Sequence, residues 1–158
     1  MKKLRVAVVG AGHLGRIHSR LINSLPDAEL VGVVDPVTEA REKVAEESRS
    51  QPFASHTEVP GLDAAIVATT TEHHHHVGMD LLERGVHLLV EKPLATTLSE
   101  ANDLVALAKA GNLVLQVGHV ERFNPAWQAV ESYVRRPRYI EAVRTSGYTF
   151  RSIDIGAV

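Results

Sequence analysis

Short apolar runs alternate with stretches of helical periodicity along the first 117 residues of the chain. The apolar runs are rich in Val, Ile and Leu without strict alternation, which is typical of strands buried on both faces. Strand alternating with helix predicts an α/β fold, a doubly wound parallel sheet with right-handed crossovers. We predict strands over residues 4–9, 29–34, 64–68, 87–90 and 113–117, with a short additional strand over 52–55, and helices over 13–24, 38–48, 72–84 and 99–110.

Several residues at the predicted helix ends have the chemistry that helix termini require. Thr97 and Glu100 have the spacing of a capping box. Gly85 and Gly111 stand where helix C-termini favour a left-handed residue. Thr71 is a plausible N-cap for the third helix. These signals support the predicted order of elements.

After residue 117 the pattern changes. Asn124 and Pro125 suit the N-cap and first turn of another helix, with Trp127, Val130 and Val134 on one face. Residues 139–143 then resemble a strand. We therefore predict one domain over residues 1–122 and, over residues 123–158, the beginning of a truncated second domain.

Composition narrows the possible partners. The 158 residues carry a net charge of -2 and contain no cysteine. This near-neutral balance favours neither nucleic acid nor an anionic membrane, and the lack of cysteine excludes disulfides and thiolate sites. The sequence has no signal-peptide pattern and no apolar run of the roughly 20 residues that span a bilayer. We expect a cytoplasmic protein with no membrane partner.

The strongest chemical signal is a GxGxxG motif that follows the first strand and opens the first helix. Gly10 permits a tight turn, Gly12 leaves room for a pyrophosphate to approach the backbone, and Gly15 allows close packing of helix on strand. The N–H groups at the helix start, at His13 and Leu14, are placed to hold an anion. The alternative to a dinucleotide-binding loop is a glycine-rich turn that serves packing alone. The surrounding sequence favours the dinucleotide-binding loop.

That context is Asp35, at the end of the second strand and twenty residues after Gly15. A carboxylate here accepts hydrogen bonds from the adenosine ribose and repels a 2′-phosphate. Pro36 and Val37 follow, with no arginine beside them to pair with that phosphate. The sequence favours NAD over NADP, with a solvated turn or helix-cap aspartate as the alternative.

Four adjacent histidines, residues 73–76, begin the third predicted helix after a threonine-rich strand end. Consecutive helical residues point in different directions, so only His73 and His76 share a face. A tetrahedral metal site would need further ligands, and no HExxH motif or cysteine is present. We therefore assign no metal.

Lys92 follows the fourth of the main strands, at the edge where ligands bind in such sheets. Oxidising an alcohol requires a base for the hydroxyl proton, and burial together with a nearby positive charge would lower the pKa of a lysine. We expect Lys92 to be that base, with a surface lysine as the alternative. Pro93 restricts the turn and is a candidate for a cis bond that directs Lys92 inward.

Taken in order, these segments resemble the glucose-fructose oxidoreductase and inositol dehydrogenase family, also written Gfo/Idh/MocA, over nearly the whole chain. The Glu91-Lys92-Pro93 sequence is its most specific hallmark, beside the glycine motif and the stretch from Gly118 to Pro125. The resemblance implies a Rossmann domain, a catalytic Lys92 and NAD as cofactor. It adds further residues as cofactor contacts, namely Thr69, Thr70, His74, Glu91, Lys92 itself and His119.

The resemblance also implies an NAD-dependent dehydrogenase of sugars or nucleotide sugars. The stretch from Gly118 to Trp127 is similar to that of members that oxidise the 3-hydroxyl of UDP-linked N-acetyl sugars. Thr70 stands where the family usually has proline, and the acidic or histidine partners of the lysine lie in a second domain. We therefore expect the isolated chain to bind NAD and to lack dehydrogenase activity. The predicted strand over 139–143 and the apolar helix face with Trp127 and Val130 have no visible partner, so we also expect self-association as a homo-oligomer. An NAD-using glycosidase and a non-catalytic NAD-binding module remain alternatives.

Overall fold

A computed structural model describes residues 2–141, 143 and 145. Its central feature is a six-stranded sheet in which every pairing is parallel. The order β3-β2-β1-β4-β5-β6 confirms the doubly wound fold. The strands are β1 (Leu4–Val9), β2 (Ala28–Val34), β3 (Gln51–Phe53), β4 (Ala64–Val67), β5 (His87–Val90) and β6 (Leu115–Val117).

Helices cover the sheet on both faces, which explains why the strands are apolar throughout. On one face Ile22 and Val44 join a cluster with Val8 and Val33. On the other, the helices that follow β4 and β5 pack against the alternate residues of the same strands. The α-helices are α1 (His13–Asn23), α2 (Thr38–Ser48), α3 (His74–Glu83), α4 (Leu98–Ala110) and α5 (Pro125–Val130).

The direction in which the chain adds strands to the sheet reverses between β1 and β4. Strands β2 and β3 lie on one side of β1, and β4, β5 and β6 lie on the other. At such a switch point the loops after the two strands diverge and leave a crevice at their carboxyl ends. The loop after β1 contains the glycine motif, and the loop after β4 contains Thr69 and Thr70. The topology therefore places the predicted chemistry at one edge.

The helix ends agree with the sequence except at two positions. The Thr97–Glu100 capping box is present, and Gly85 has a left-handed φ of 77°. Gly111 is right-handed, however, and Asn112 takes the left-handed conformation with a φ of 52°. Asparagine tolerates this conformation, so the turn forms one residue later than predicted. Thr71 is not an N-cap: it begins a 3₁₀ turn, Thr71–His73, that precedes α3.

Strand β6 begins two residues later than predicted. The Leu113 N–H donates to the carbonyl of Ala108 and so belongs to the closing turn of α4. The short additional strand lies at Gln51–Phe53, because Ser55 caps the following 3₁₀ turn instead of extending the strand. Both differences arise from turn hydrogen bonds that an apolar pattern does not reveal.

Contacts divide the chain into two compact units, residues 1–118 and 119–158. In the second, the Asn124 side chain accepts from the Ala126 N–H and Pro125 occupies the first turn, as predicted. The helix ends at Val130, earlier than Val134, because a cap fixes only the first turn and a helix this short gains little from its own backbone.

The predicted strand over 139–143 does not form at residues 139–141 and 143, while residue 142 lies outside the described residues. A strand needs a neighbouring strand for its backbone hydrogen bonds, and residues 139–141 and 143 are not part of the six-stranded sheet. Self-association of the chain stays a prediction. Among the described residues, the helices are all too short or too polar to cross a membrane.

Candidate cofactor-binding site

The glycine loop is built by close backbone approaches. Gly10 has a φ of 102°, and a Cβ there would lie 2.5 Å from the carbonyl oxygen of Ala68. A Cβ on Gly15 would overlap the carbonyl oxygen of Gly10. A Cβ on Gly12, by contrast, would meet no atom within 4 Å. Two glycines are therefore needed for packing, and the third faces open space that a ligand can enter.

Asp35 is joined directly to this loop. Its Oδ2 atom accepts a 2.8 Å hydrogen bond from the Ala11 N–H, and its Oδ1 atom accepts one of 2.8 Å from the Val37 N–H. A carboxylate has about four lone-pair positions, so each oxygen retains capacity for a ribose hydroxyl. The structure thus fixes the orientation of Asp35 at the end of β2. We call the region formed by Gly10, Gly12, Gly15 and Asp35 the glycine-loop half.

A cleft of about 300 Å³ opens between the loops after β1, β2, β3 and β4. Its position at the switch point is the one at which doubly wound sheets bind ligands. Asp35 and Thr69 line it together, although they lie on different strand ends. The full lining consists of Val9, Gly10, Val34, Asp35, Pro36, Ala54, Ser55, His56, Thr69, His73, His76 and Val77.

Three histidines form one wall of this cleft. The His73 and His76 rings meet edge to face with centroids 5.2 Å apart, although His73 ends the 3₁₀ turn before α3 and does not belong to the helix itself. His56 Nε2 lies 3.2 Å from Asp80 Oδ2. Desolvation, followed by the charge of His73, lowers the pKa of the His76 imidazole. No group of acidic or imidazole side chains in the described part of the chain is arranged to hold a metal ion.

His74 differs from its neighbours because it is buried, with 1 % exposure. Its Nδ1 atom lies 2.9 Å from the Pro93 carbonyl oxygen and its Nε2 atom 3.1 Å from the Thr69 carbonyl oxygen. Carbonyl oxygens only accept, so a neutral imidazole donates to one of them and an imidazolium donates to both. His74 therefore connects the loop after β4 to the loop after β5.

The Glu91-Lys92-Pro93 turn has a buried acid followed by an exposed base. Glu91 is 6 % exposed as a whole residue, and its carboxylate lies 2.7 Å from the Nε2 atom of His18, on α1. Its second oxygen accepts a 3.3 Å hydrogen bond from the Lys92 N–H. The Lys92–Pro93 bond is cis, as predicted, but Lys92 is exposed and not buried as expected. We call Thr69, His74, Glu91 and Lys92 the lysine-turn half.

The predicted residues of the first unit thus fall on a single edge of the sheet. His13 and Leu14 open α1 directly after Gly12, and Thr70 precedes the 3₁₀ turn that leads into α3. The open space beside Gly12, the helix start and the Asp35 carboxylate fit the pyrophosphate and ribose of a dinucleotide. His119 begins the second unit, and its assignment to the cofactor stays a prediction.

Residues 4–119 match the Gfo/Idh/MocA oxidoreductase family, described by its NAD-binding Rossmann fold. The chain belongs to this family. Its first unit is accordingly the NAD-binding Rossmann fold, and NAD is the cofactor of that fold.

Individual relatives agree with this assignment. The chain is 36 % identical to the UDP-N-acetylglucosamine 3-dehydrogenase of Acidithiobacillus ferrooxidans, over 100 % of the chain and 50 % of the relative. It is 32 % identical to the scyllo-inositol 2-dehydrogenase (NAD(+)) of Bacillus subtilis, over 93 % of the chain and 44 % of the relative. The chain thus spans about half the length of the curated relatives it matches.

Solved structures show the same similarity. The A. ferrooxidans enzyme superposes with a TM-score of 0.78 at 35 % identity, covering 85 % of this chain and 44 % of that one. GenD2 from gentamicin A biosynthesis, solved in complex with NAD, has a TM-score of 0.81 at 26 % identity, with coverage of 84 % and 39 %. The Rossmann fold is therefore shared with a relative that holds NAD.

The sequence did not predict two neighbours of Glu91, namely His18, which it did not single out, and Gly118, which it named only as the start of a motif. His18 precedes its partner Glu91 by 73 positions. Gly118 lies beside the same carboxylate, and a Cβ on it would be 2.9 Å from the Glu91 Oε2 atom. His18 follows Gly15 by three residues, so the two share a helix face, but neither spacing nor residue type indicates its distant partner.

Proposed function

We propose that this chain is the cofactor-binding part of an NAD-dependent dehydrogenase that transfers a hydride between a sugar or nucleotide-sugar hydroxyl and NAD. The observation that carries the proposal is the placement of Asp35, Thr69 and the glycine loop around one cleft at the switch point. The Lys92 turn follows β5, next but one to β1 in the sheet. Adenosine would thus bind near β2 and the nicotinamide near β4 and β5.

Each half of the site has its own task in this mechanism. The N–H groups at the start of α1 hold the pyrophosphate, with Gly12 leaving room for it. Asp35 accepts hydrogen bonds from the adenosine ribose, and its charge disfavours the 2′-phosphate of NADP. Bound NAD supplies the hydride acceptor. His74 and Glu91 fix the loops on either side of the nicotinamide end.

Lys92 is proposed as the base that takes the hydroxyl proton while the carbinol hydrogen leaves as hydride. Its exposure leaves the side chain accessible to a substrate. A polyhydroxylated substrate is supported by the named activities of two relatives, one acting on UDP-N-acetylglucosamine and one on scyllo-inositol. The higher identity to the first makes a UDP-linked N-acetyl sugar our preferred substrate.

Calorimetric titration of the 158-residue chain with NAD and NADP tests the cofactor part of the proposal. We expect NAD to bind at least about tenfold more tightly, because one unfavourable charge contact at Asp35 is enough for that difference. Equal affinities, or no binding of either dinucleotide, would contradict the proposal. In an active protein that contains this chain, UDP-N-acetylglucosamine should produce NADH, measured by absorbance at the nicotinamide band.

A further inference from the structure

A buried acid–imidazole pair lies behind the Lys92 turn, outside the cleft itself. His18 Nε2 and Glu91 Oε1 are 2.7 Å apart, and their side chains are only 16 % and 8 % exposed. The pair connects α1 to the end of β5. None of the tasks assigned above to the glycine loop or to Lys92 involves His18.

Glu91 needs this partner because a buried carboxylate is unfavourable unless it is paired and hydrogen-bonded. The Lys92 N–H supplies a 3.3 Å hydrogen bond, longer than the contact with His18. The third neighbour is Gly118, which has no side chain that could donate. A larger residue would not fit there, because its Cβ would lie within 3.2 Å of both carboxylate oxygens. Among the described residues, His18 Nε2–H is thus the side-chain donor that reaches Glu91, and donation requires the proton to be on Nε2.

The same carboxylate holds the backbone of the catalytic turn. One oxygen of Glu91 faces His18, and the other accepts from the Lys92 N–H. Rotation of Glu91 to follow a displaced imidazole would therefore break the contact with the Lys92 backbone. The position of the turn at the sheet edge depends on a helix that begins in the glycine loop.

We propose that His18 is a positioning residue for the nicotinamide end of the cofactor, acting through Glu91 on the Lys92 turn. The inference rests on the proposed function, which places the nicotinamide beside this turn. A purely structural role for the pair would instead affect folding and every part of the bound dinucleotide equally. The two roles therefore differ in which part of the ligand loses affinity.

Two polar substitutions of His18 test whether a hydrogen-bond donor must extend as far as Nε2. His18→Gln carries an amide nitrogen at the distance of Nε2 and keeps a donor for Glu91. His18→Asn carries its amide one bond shorter, at the distance of Nδ1, and leaves Glu91 without that donor. Both side chains are polar and tolerated in a helix, so both variants should fold. His87→Asn, at the opposite end of β5, is the matched control.

Each variant is titrated with NAD and with ADP, which lacks the nicotinamide and its ribose, and its melting temperature is recorded. We expect His18→Asn to weaken NAD about tenfold, the loss typical of one hydrogen bond to a charged group, and to leave ADP within about twofold. His18→Gln and His87→Asn should bind both ligands as the unmodified chain does.

Three outcomes overturn the inference: an unchanged NAD affinity in His18→Asn, equal losses for NAD and ADP, or an equal loss of NAD in His18→Gln. Failure of the proposed function gives a different result, because the unmodified chain would then bind neither NAD nor ADP. If His18→Asn does not fold, His18→Ala takes its place, since it also lacks the donor for Glu91. We expect the same loss of NAD affinity and the same retention of ADP, and an unchanged NAD affinity in folded His18→Ala would overturn the inference.

Discussion

The surface offered by the glycine-loop half is mainly backbone, whereas that of the lysine-turn half depends on buried side chains. In the first, Gly10 and Gly15 bring two chain segments together, and Asp35 is held by N–H groups 24 and 2 residues away. In the second, His74 lies within hydrogen-bond distance of the Pro93 carbonyl, 19 residues away, and His18 of Glu91, 73 residues away. The first half therefore presents main-chain groups around glycines, and the second presents loops that buried side chains hold in place.

The comparison indicates how the two halves respond to mutation. A backbone site fails when an added side chain fills the space that the ligand or the opposite segment occupies. A site built from buried polar groups fails when one partner is removed, because the remaining group is left unsatisfied. Binding the pyrophosphate should depend on the first half, and the reaction on the second.

The largest expected effect is on turnover. Lys92→Ala, in an active protein that contains this chain, should lower kcat by about 10²- to 10⁴-fold, the usual contribution of a general base. Because Lys92 is exposed, the NAD affinity of the 158-residue chain should stay within about twofold. Steady-state rates and calorimetry provide the two measurements. Normal turnover of the variant at all pH values would remove Lys92 from the mechanism.

Two glycine substitutions sharpen the contrast between packing and ligand space. Gly15→Ala places a Cβ against the Gly10 carbonyl and should lower the free energy of unfolding by about 1 to 3 kcal/mol. Gly12→Ala should leave that free energy within about 0.5 kcal/mol, since its φ is -72° and its Cβ meets no neighbour. Urea unfolding measures both.

The same pair should behave differently toward NAD. Gly12→Ala occupies the space proposed for the pyrophosphate and should weaken NAD by about tenfold or more in a fully folded chain, equivalent to the loss of one charge-assisted hydrogen bond. Titration of the folded variant with NAD is the measurement. Unaltered affinity in Gly12→Ala would show that the dinucleotide does not approach the backbone there.

Asp35 provides the next test, of cofactor choice. Asp35→Ala should weaken NAD roughly 10- to 100-fold, since hydrogen bonds to a charged group contribute about 1.5 to 3 kcal/mol. Asp35→Asn keeps an oxygen that can accept from the Ala11 N–H but lacks the charge. It should retain more NAD affinity while also narrowing the gap to NADP. If Asp35→Asn still binds NAD more tightly than NADP by the same factor, the shape of the site and not its charge sets the selectivity.

The same comparison explains how much could be predicted from the sequence. The glycine loop, Asp35 and the capping box of α4 follow characteristic residue spacings, and the structure contains each of them. The His18–Glu91 pair depends on which strand α1 approaches, so no local pattern predicts it. The predicted strand over 139–143 does not form at residues 139–141 and 143, because apolar residues alone do not supply a neighbouring strand.

A site outside both halves provides the smallest effect and the baseline for the others. Thr97 accepts from the Glu100 N–H, and Glu100 Oε2 in turn accepts from the N–H of Thr97 at 2.9 Å and from the Thr96 hydroxyl at 2.7 Å. Thr97→Ala removes this N-cap and should cost about 1 kcal/mol of unfolding free energy without changing NAD affinity. Weaker NAD binding by Thr97→Ala would mean that the cofactor-binding site depends on the N-terminus of α4.

The pH dependence of this capping box has a defined sign. The hydrogen bond from the Thr96 hydroxyl, with those from Thr97, lowers the pKa of the Glu100 carboxyl. The folded chain therefore favours the ionised form, and the stabilisation is present above the ordinary value of 4.5 and lost as the pH falls through the lowered pKa. Glu100→Gln should be less stable than the unmodified chain near pH 7, and the difference should shrink in acid. Urea unfolding across this range is the measurement, and a difference that grows as the pH falls would contradict the assignment.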